Sequence, residues 1–309
     1  MPRKIFHIIV YIFAAIGFLL TAGYFAVRFG LTNVRGIIDI QQQSFLDTGR
    51  VGQTANAVGA HSTNETNQDS STTKYYWQTL PEWETIKIAV QKDAPTINRA
   101  AMISGVPARM IVASLIVEQL RFFTDDRESF KKFFEPLKIL GSETQFSWGV
   151  MGVKKDTAVE IENNLKNPNS LFYLGAEYEH LLDFKTNDVE NERFARMTDQ
   201  HNHYFSYLYA GLYLREVEKQ WQSAGYNISA RPEILSTLYN IGFANSKPNA
   251  NPSSGGAAIT LGTGISGQSQ EVTNGHVSTN GNVGTGTISF GALAAEFYNS
   301  DELLAEFPR

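Results

Sequence analysis

The stretch VPARMIVASLIVEQLRFF, at Val106–Phe123, predicts a helix that carries a carboxylate on its apolar side. Residues spaced by four, three and four positions share one helical face, here Ile111, Leu115, Glu118 and Phe122. Glu118 is therefore expected to point inward with its apolar neighbours. Because removal from water disfavours the charged form of a carboxylate, such a glutamate is suited to act as a general acid. A Glu118 that reaches water, or that pairs with Arg121 or Arg109, fits the same helix.

An uncharged apolar run, IFHIIVYIFAAIGFLLTAGYFAV, occupies residues 5–27. A bilayer core needs about 20 apolar residues, so these 23 residues are enough to cross it once. A cleaved signal peptide would have an apolar region of about 7–15 residues, and no clear small-x-small cleavage site ends this run. We therefore expect an uncleaved single-pass membrane anchor within residues 1–28. Positive charges on its two sides nearly balance, but the short N-terminal stub favours a cytoplasmic amino terminus and an extracytoplasmic body.

Composition excludes several kinds of site. The chain has no cysteine among its 309 residues, which excludes a disulfide framework, a thiolate metal site and a cysteine nucleophile. The net charge of −5 and the lack of a run rich in lysine and arginine argue against nucleic-acid binding. His201 and His203 follow Glu177 and His180, but no H-E-x-x-H spacing is present. We therefore predict no metal site and no cofactor.

The chain after the anchor divides into a tether and one folded body. Gln53–Lys74 is almost entirely small and polar, so residues 29–74 are expected to form a flexible linker. Residues 75–309 have the length of a single domain. Their periodicity predicts a mainly α-helical fold with a small β element. The expected helices are Trp83–Met102, Val106–Phe123, Glu128–Leu140, Thr157–Leu165, Asn169–Phe184, His203–Ala224, Glu233–Ile241 and Ser289–Phe307, and the expected strands are Phe146–Val153 and Ala257–Leu261.

One segment of the body, Ser246–Thr287, is dominated by glycine, serine, threonine and asparagine. Its glycines are not followed by a G-K-[ST] sequence, so they do not predict a phosphate-binding loop. The segment has few apolar residues to offset the cost of ordering, which predicts a surface insertion that is mobile without ligand. It follows directly on Leu238–Gly242, so we expect it to leave from the end of the body where Tyr239 and Asn240 lie. A lid over a cleft and an inert insertion are both compatible with this position.

Three short patches occur in order along the body: ASLIVE at Ala113–Glu118, SWGVMGVKKDTA at Ser147–Ala158 and LYNIG at Leu238–Gly242. Between the last two lies NPNSLFYLGAEYEHLLDF, at Asn167–Phe184. In this order the patches resemble the lysozyme-like domain of soluble lytic transglycosylases and goose-type lysozymes, the glycoside hydrolase family 23 type. They are similar to that family's helix ending in the catalytic glutamate, its S-x-G-L-M-Q-V-x-P-x-T-A turn, its A-Y-N-A-G helix end and its D-P-x-x-N-I-x-x-G-x-x-Y-L helix.

The resemblance implies an enzyme that cuts the glycan strands of peptidoglycan, at the β-1,4 bond between N-acetylmuramic acid and N-acetylglucosamine. Together with the apolar run at residues 5–27, it leads us to expect a bacterial protein anchored in the cytoplasmic (inner) membrane, with the catalytic domain in the periplasm. Glu118 would be the general acid and base, and one carboxylate suffices because the substrate's N-acetyl group assists and its own hydroxyl closes a 1,6-anhydro ring. The Tyr239 hydroxyl would reach toward Glu118. The implied substrate contacts are Ser147, Trp148, Gly149, Met151, Tyr239 and Asn240.

The chain departs from the family pattern at three positions. Gln119 replaces the serine that usually follows the catalytic glutamate, Gly152 replaces a glutamine, and Lys155 replaces a proline. A muramidase that hydrolyses the same bond, and a non-catalytic peptidoglycan-binding scaffold, therefore remain alternative functions. An inverting hydrolase would need a second carboxylate roughly 6.5–9.5 Å from the first. The nearby acidic residues are interpreted as loop charges or a helix cap instead: Asp125, Asp126 and Glu128.

Overall fold

A computed structural model of the chain describes residues 75–122, 147–199, 201–261 and 286–309, together with the single residues 18 and 21. Within these ranges the body is mainly α-helical, as predicted, with two short antiparallel strand pairs. The helices are α1 (Pro81–Ser104), α2 (Ala108–Phe122), α3 (Lys155–Leu165), α4 (Val189–Met197), α5 (Tyr204–Ser223), α6 (Pro232–Ile241) and α7 (Phe290–Asn299). The strands are β1 (Ser147–Trp148), β2 (Val153–Lys154), β3 (Ala258–Leu261) and β4 (Gly286–Ser289), and single 3-10 turns lie at Tyr76–Thr79, Ala176–Tyr178 and Phe243–Asn245.

The helix α2 lies at the centre of the body and is buried on every side. All residues from Arg109 to Leu120 are buried, because α1, α5, α6 and α7 pack around them. Glu118 is buried, as predicted, with no exposed surface. Since no face of this part of α2 meets water, the apolar stripe alone does not distinguish Glu118 from its neighbours. The buried polar residues of α2 are Arg109, Ser114, Glu118 and Gln119.

The predicted helix Asn169–Phe184 is wrong. This segment forms turns and the single 3-10 turn at Ala176–Tyr178, and the predicted inward residue Leu171 is 70% exposed. Local side chains compete with helical hydrogen bonding here, since Asn167 Oδ1 accepts from the backbone N–H of Asn169 and Ser170 Oγ from that of Phe172. Gly175, at φ +122°, then takes a conformation outside any helix.

The sequence analysis missed α4. Its first turn has a recognisable signal, because the Asp188 side chain accepts the backbone N–H of Asn191 and so caps the helix. Glu190 and Glu192 follow in that first turn, where negative charge favours a helix. The helix is short and mostly polar, with Arg193 among its few buried residues. An apolar period is therefore a poor guide to it.

Both ends of the predicted insertion, Ser246–Thr287, lie in the described part of the chain, and the strand expected at Ala257–Leu261 is present as β3. Residues 246–261 belong to the fold, and β3 pairs with β4 through four residue pairs beginning at Ala258 and Ser289. Polar contacts hold the backbone just before β3. The Gly255 N–H donates to Thr237 Oγ1, and the Ala257 N–H donates to Asn240 Oδ1. Residues 262–285 lie outside the described part of the chain, so the predicted lid is not tested.

The expected helix Ser289–Phe307 ends early, because α7 stops at Asn299 and turns follow. Arg109 accounts for the fold of these last residues. Its guanidinium is completely buried and donates five hydrogen bonds of 2.7–3.0 Å to backbone carbonyls. Carbonyls at and beyond a helix end lack helical donors, and Arg109 supplies donors to them. The five acceptors belong to Phe297, Tyr298, Ser300, Glu302 and Phe307.

Several predictions fall outside the described residues. They are the membrane anchor at residues 5–27 (apart from residues 18 and 21), the linker at residues 29–74, and the helix Glu128–Leu140. In the part of the chain that the structure does describe, no helix is both long and apolar enough to cross a bilayer.

Candidate functional site

The strands β1 and β2 form a small hairpin beside the C-terminal half of α2. Ser147 pairs with Lys154 and Trp148 with Val153, so residues 149–152 form the connecting turn. The turn is closed by the N–H of Gly152, which donates to the carbonyl of Gly149 at 3.0 Å. The single predicted strand Phe146–Val153 is therefore two short strands with this turn between them.

Gly152 lies directly against Glu118. A Cβ atom placed on Gly152 would be 3.1 Å from Glu118 Oε2 and 3.2 Å from Glu118 Cδ, which is closer than ordinary van der Waals contact. Gly152 also has a φ of +66°, a conformation that side chains with a Cβ disfavour. Position 152 thus needs glycine for two separate reasons. The glutamine that the family resemblance would place there does not fit beside Glu118 in this arrangement.

Glu118 forms an ion pair with Arg121. The Arg121 Nη1 atom lies 3.4 Å from Glu118 Oε2, and the Arg121 side chain is 15% exposed whereas that of Glu118 has no exposed surface. The Arg121 guanidinium also lies over the ring of Phe290, the first residue of α7, at 5.9 Å. Of the two arginines considered as structural partners of Glu118, Arg121 contacts it, while Arg109 is engaged with the C-terminal carbonyls.

Gln119 and Ser206 attach the hairpin turn to two helices. The Gln119 side-chain amide donates to the carbonyl of Val150 at 2.7 Å, which joins the turn to α2. The N–H of Met151 donates to Ser206 Oγ at 3.2 Å, which joins the turn to α5. Gln119 therefore has a clear role at the position where the family usually has serine.

Tyr239, on α6, completes the cluster around the turn. Its hydroxyl donates to the carbonyl of Met151 at 2.6 Å, and its ring packs edge-on against Tyr213 with centroids 5.3 Å apart. Ser114 on α2 and Ser236 on α6 also share a hydrogen bond of 3.0 Å. The three resembling patches, far apart in sequence, thus meet at one place. The Tyr239 hydroxyl is bound to the residue beside Gly152.

Asn240, the other residue singled out on α6, has a structural contact. Its Oδ1 atom accepts the N–H of Ala257 at 2.9 Å and so holds the turn that enters β3. Only 9% of the residue is exposed. Asn240 therefore holds the backbone just before β3 in place.

Three of the implied substrate contacts on the hairpin have little exposed surface. Trp148 is only 6% exposed, and Gly149 and Met151 are buried. An aromatic residue that the sequence analysis did not select covers this side of the hairpin. The ring of Phe194 meets that of Trp148 edge-on, with centroids 5.4 Å apart and an interplanar angle of 86°, and Phe194 is 46% exposed. The sequence analysis did not select Phe194 because it did not predict α4, the helix that carries this residue.

Glu216, on α5, is a second carboxylate with no exposed surface. Burial raises its pKa well above the ordinary value, and the Asn164 side-chain amide, which donates to Glu216 Oε2 at 3.0 Å, opposes this shift. Asn164 in turn accepts from Ser170 Oγ at 2.8 Å. Burial of a carboxylate is therefore not specific to the candidate site. The meeting of the three patches is what distinguishes Glu118.

Two of the histidines considered for a metal site, His203 and His180, each pair with a different aspartate. His203 Nδ1 pairs with Asp93 Oδ2, which also accepts the hydroxyl of Tyr207 at 2.7 Å, and His180 pairs with Asp183. Across the described ranges, no group of three or more His, Asp or Glu side chains could hold a metal ion. The acidic residues at positions 125, 126 and 128 lie outside those ranges.

Comparison with known proteins finds no match: no family profile, no curated protein and no solved structure matches this chain. The functional argument therefore rests on the geometry around Glu118.

Proposed function

We propose that the protein is a lytic transglycosylase that cleaves peptidoglycan glycan strands, with Glu118 as general acid and base. One observation carries this proposal. The patches Ala113–Glu118, Ser147–Ala158 and Leu238–Gly242 assemble into a cluster in which Gly152 touches Glu118 and Tyr239 binds the neighbouring Met151. If these patches only packed the core, there would be no reason for all three patches to meet at the same carboxylate.

The chemistry needs one carboxyl group that gives up a proton and then takes one back. Glu118 donates a proton to the glycosidic oxygen while the bond from that oxygen to C1 of N-acetylmuramic acid breaks. The acetamido oxygen of the same sugar attacks C1 as the bond breaks. The C6 hydroxyl oxygen then attacks C1 and displaces the acetamido oxygen, while Glu118 removes the hydroxyl proton. The product carries a 1,6-anhydro ring, and Glu118 is protonated again.

The substrate needs a path to Glu118, which has no exposed surface. Arg121 is the described ion-pair partner of Glu118, and its side chain reaches solvent. In our proposal Arg121 moves aside when a glycan strand binds. Its return to Glu118 then stabilises the carboxylate that forms after the first proton transfer, since an opposite charge nearby favours the ionised form.

A non-catalytic glycan-binding scaffold is the second candidate. The observation that favours it is the closed ion pair between Glu118 and Arg121, because a buried pair of this kind also serves to specify packing. Such a scaffold would bind peptidoglycan and leave the strand intact.

The decisive experiment uses the full chain in detergent and purified peptidoglycan sacculi. We expect Glu118→Gln to slow the release of soluble fragments by at least about 100-fold, the usual scale for loss of a general acid. Glu216→Gln is the matched control, because it makes the same substitution at an equally buried carboxyl group outside the cluster. Mass analysis of the fragments then separates the outcomes, since a hydrolase adds one water that an anhydro product lacks.

Equal turnover in the parent and Glu118→Gln proteins would rule out Glu118 as the acid. Binding without any release of fragments by the parent protein would favour the scaffold. The proposed site of action is the periplasmic face of the bacterial cytoplasmic membrane, where an anchor at residues 5–27 would hold the body near its substrate.

A further inference from the structure

We propose that Phe194, supported by Trp148, is a stacking platform for one sugar ring of the glycan strand, beside the cleavage point. This inference rests on the proposed function for the identity of the ligand, but it concerns binding rather than cleavage. It assigns to Phe194 the sugar contact that the sequence analysis gave to Trp148.

In this proposal Trp148 supports the platform and Phe194 contacts the sugar. Trp148 is 6% exposed, so it offers little surface to a ligand, whereas Phe194 is 46% exposed. Their rings are nearly perpendicular and 5.4 Å apart, an edge-to-face arrangement that is favourable for aromatic pairs. Trp148 thus fixes the Phe194 ring from within and leaves part of its surface open to solvent.

The helix α4 holds Phe194 rigidly. The neighbouring Arg193 makes a two-pronged ion pair with Glu162 on α3, with both N–O distances at 2.6 Å, and Tyr209 on α5 donates to the same carboxylate at 2.6 Å. Met197, the last residue of α4, is completely buried. A ring held in this way loses little conformational freedom when a ligand binds, which favours affinity.

Polar groups flank the platform on the same face of α4. Glu190 lies four residues before Phe194, and residues at that spacing are neighbours on a helix. The Glu190 side chain is 72% exposed and pairs with Lys155 at 2.5 Å. The hydrogen bond from Lys155 lowers the pKa of Glu190, so it is an ionised acceptor at neutral pH. A sugar ring has an apolar C–H face and a rim of hydroxyls, and this surface offers a partner for each.

The platform is close to Glu118. Trp148 is paired directly with Val153, and the next residue, Gly152, touches Glu118. Paired strand residues have Cα atoms about 5 Å apart and consecutive residues about 3.8 Å, so the Trp148 and Gly152 backbones lie within roughly 10 Å. This distance places the platform within reach of the same bound strand.

The size of the exposed surface argues for a sugar. A stable protein interface buries about 800 Å² on each partner, far more than half of one phenylalanine provides. Attachment to a membrane surface needs a broad apolar helix face, whereas four of the nine residues of α4 are charged and Phe194 is its exposed large apolar residue. A single half-exposed ring flanked by charges matches one pyranose ring.

The test measures co-sedimentation of the full chain in detergent with purified sacculi, in a Glu118→Gln background so that the polymer stays intact. The variants are Phe194→Ala, Phe194→Leu and Phe194→Tyr, with Leu171→Ala as a control at an exposed apolar residue of the 167–184 turns. Loss of an aromatic contact is worth up to about tenfold in affinity, so we expect Ala and Leu to weaken binding by five- to tenfold. Tyr and the control should bind like the parent.

Binding by Phe194→Ala within about twofold of the parent, against the expected tenfold scale of an aromatic contact, would overturn the proposal. So would a loss in Phe194→Tyr as large as that in Phe194→Ala, because the ring face would then not matter. Fragment release is assayed separately in the protein with Glu118 intact. If binding depends on the aromatic ring but no fragments are released, the cleavage function is wrong and the platform stands. If fragments are released but binding does not depend on the ring, the platform is wrong and the cleavage function stands.

Discussion

Gly152 and Glu118 constrain each other as single residues. A methyl group at position 152 would press on the Glu118 carboxyl group and would also be placed at a φ of +66°. We expect Gly152→Ala to lower the free energy of unfolding by about 2–4 kcal/mol, of which the backbone conformation alone accounts for about 1–2 kcal/mol. Thermal or urea unfolding of the full chain measures this difference.

Gly225→Ala provides the matched control, since Gly225 has a φ of +89° and no atom lies within 4 Å of the position that a Cβ would take there. Its cost should equal the backbone part only. In addition, replacing Glu118 by Ala should relieve part of the cost of Gly152→Ala, because the three nearest atoms to that Cβ all belong to Glu118. Additive effects of the two substitutions would show that the contact is unimportant.

At the same scale, the sequence predicted the burial of Glu118 correctly but not the contacts of the residues around it. The structure brings the segment around Gly152 against Glu118, and Tyr239 against that segment, although the sequence predicted a single strand at Phe146–Val153 rather than a hairpin. The sequence could not show that the Tyr239 hydroxyl binds Met151, or that Phe194 covers Trp148. These contacts depend on how separate elements pack, and local spacing carries no information about that.

Among the elements, α2, α5 and α6 were predicted well, because long apolar segments bounded by proline or glycine give strong signals. The segment 169–184 has apolar residues at helical spacing, yet side-chain hydrogen bonds and Gly175 prevent a helix there. The opposite error occurred at α4, where capping and an ion pair stabilise a helix with few apolar residues. Periodicity therefore fails where polar contacts determine the local structure.

The element α7 carries a carboxylate whose titration should affect stability. Burial raises the pKa of Glu296 to about 7, with the Trp77 side chain acting in the opposite direction. The folded protein therefore binds this proton more tightly than the unfolded chain, whose value lies near 4.5. The contribution of Glu296 is most favourable below pH 4.5 and declines as the pH rises to about 7.

We expect Glu296→Gln to abolish this decline. The melting temperature of the variant, relative to the parent, should rise between about pH 4.5 and pH 7 and stay level above. Glu84→Gln, at an exposed position of α1, should show no such trend. A constant difference between Glu296→Gln and the parent at every pH would contradict the assignment.

At the scale of the whole molecule, the body from residue 75 is expected to be independent of the anchor. Among the described residues, fifty buried apolar residues form one continuous core, and the described helices pack against one another around it. Deletion of residues 1–27 should therefore give a protein that stays in the supernatant after high-speed centrifugation of lysed cells, with the melting temperature of the full chain. Persistence of the truncated protein in the membrane fraction at high salt would reveal a second attachment surface.

The buried guanidinium of Arg109 also sets an order in time. Arg109 lies 188 to 198 positions before the carbonyls that it binds. During synthesis it is therefore added to the chain long before any of its acceptors. Until residues 297–307 have been synthesised, the N-terminal half of α2 cannot be enclosed without leaving a charge with no acceptors, which is strongly unfavourable. The ribosome thus completes nearly all of the described body before the Arg109 guanidinium can be buried with its acceptors, so we expect the N-terminal half of α2 to be enclosed late in folding.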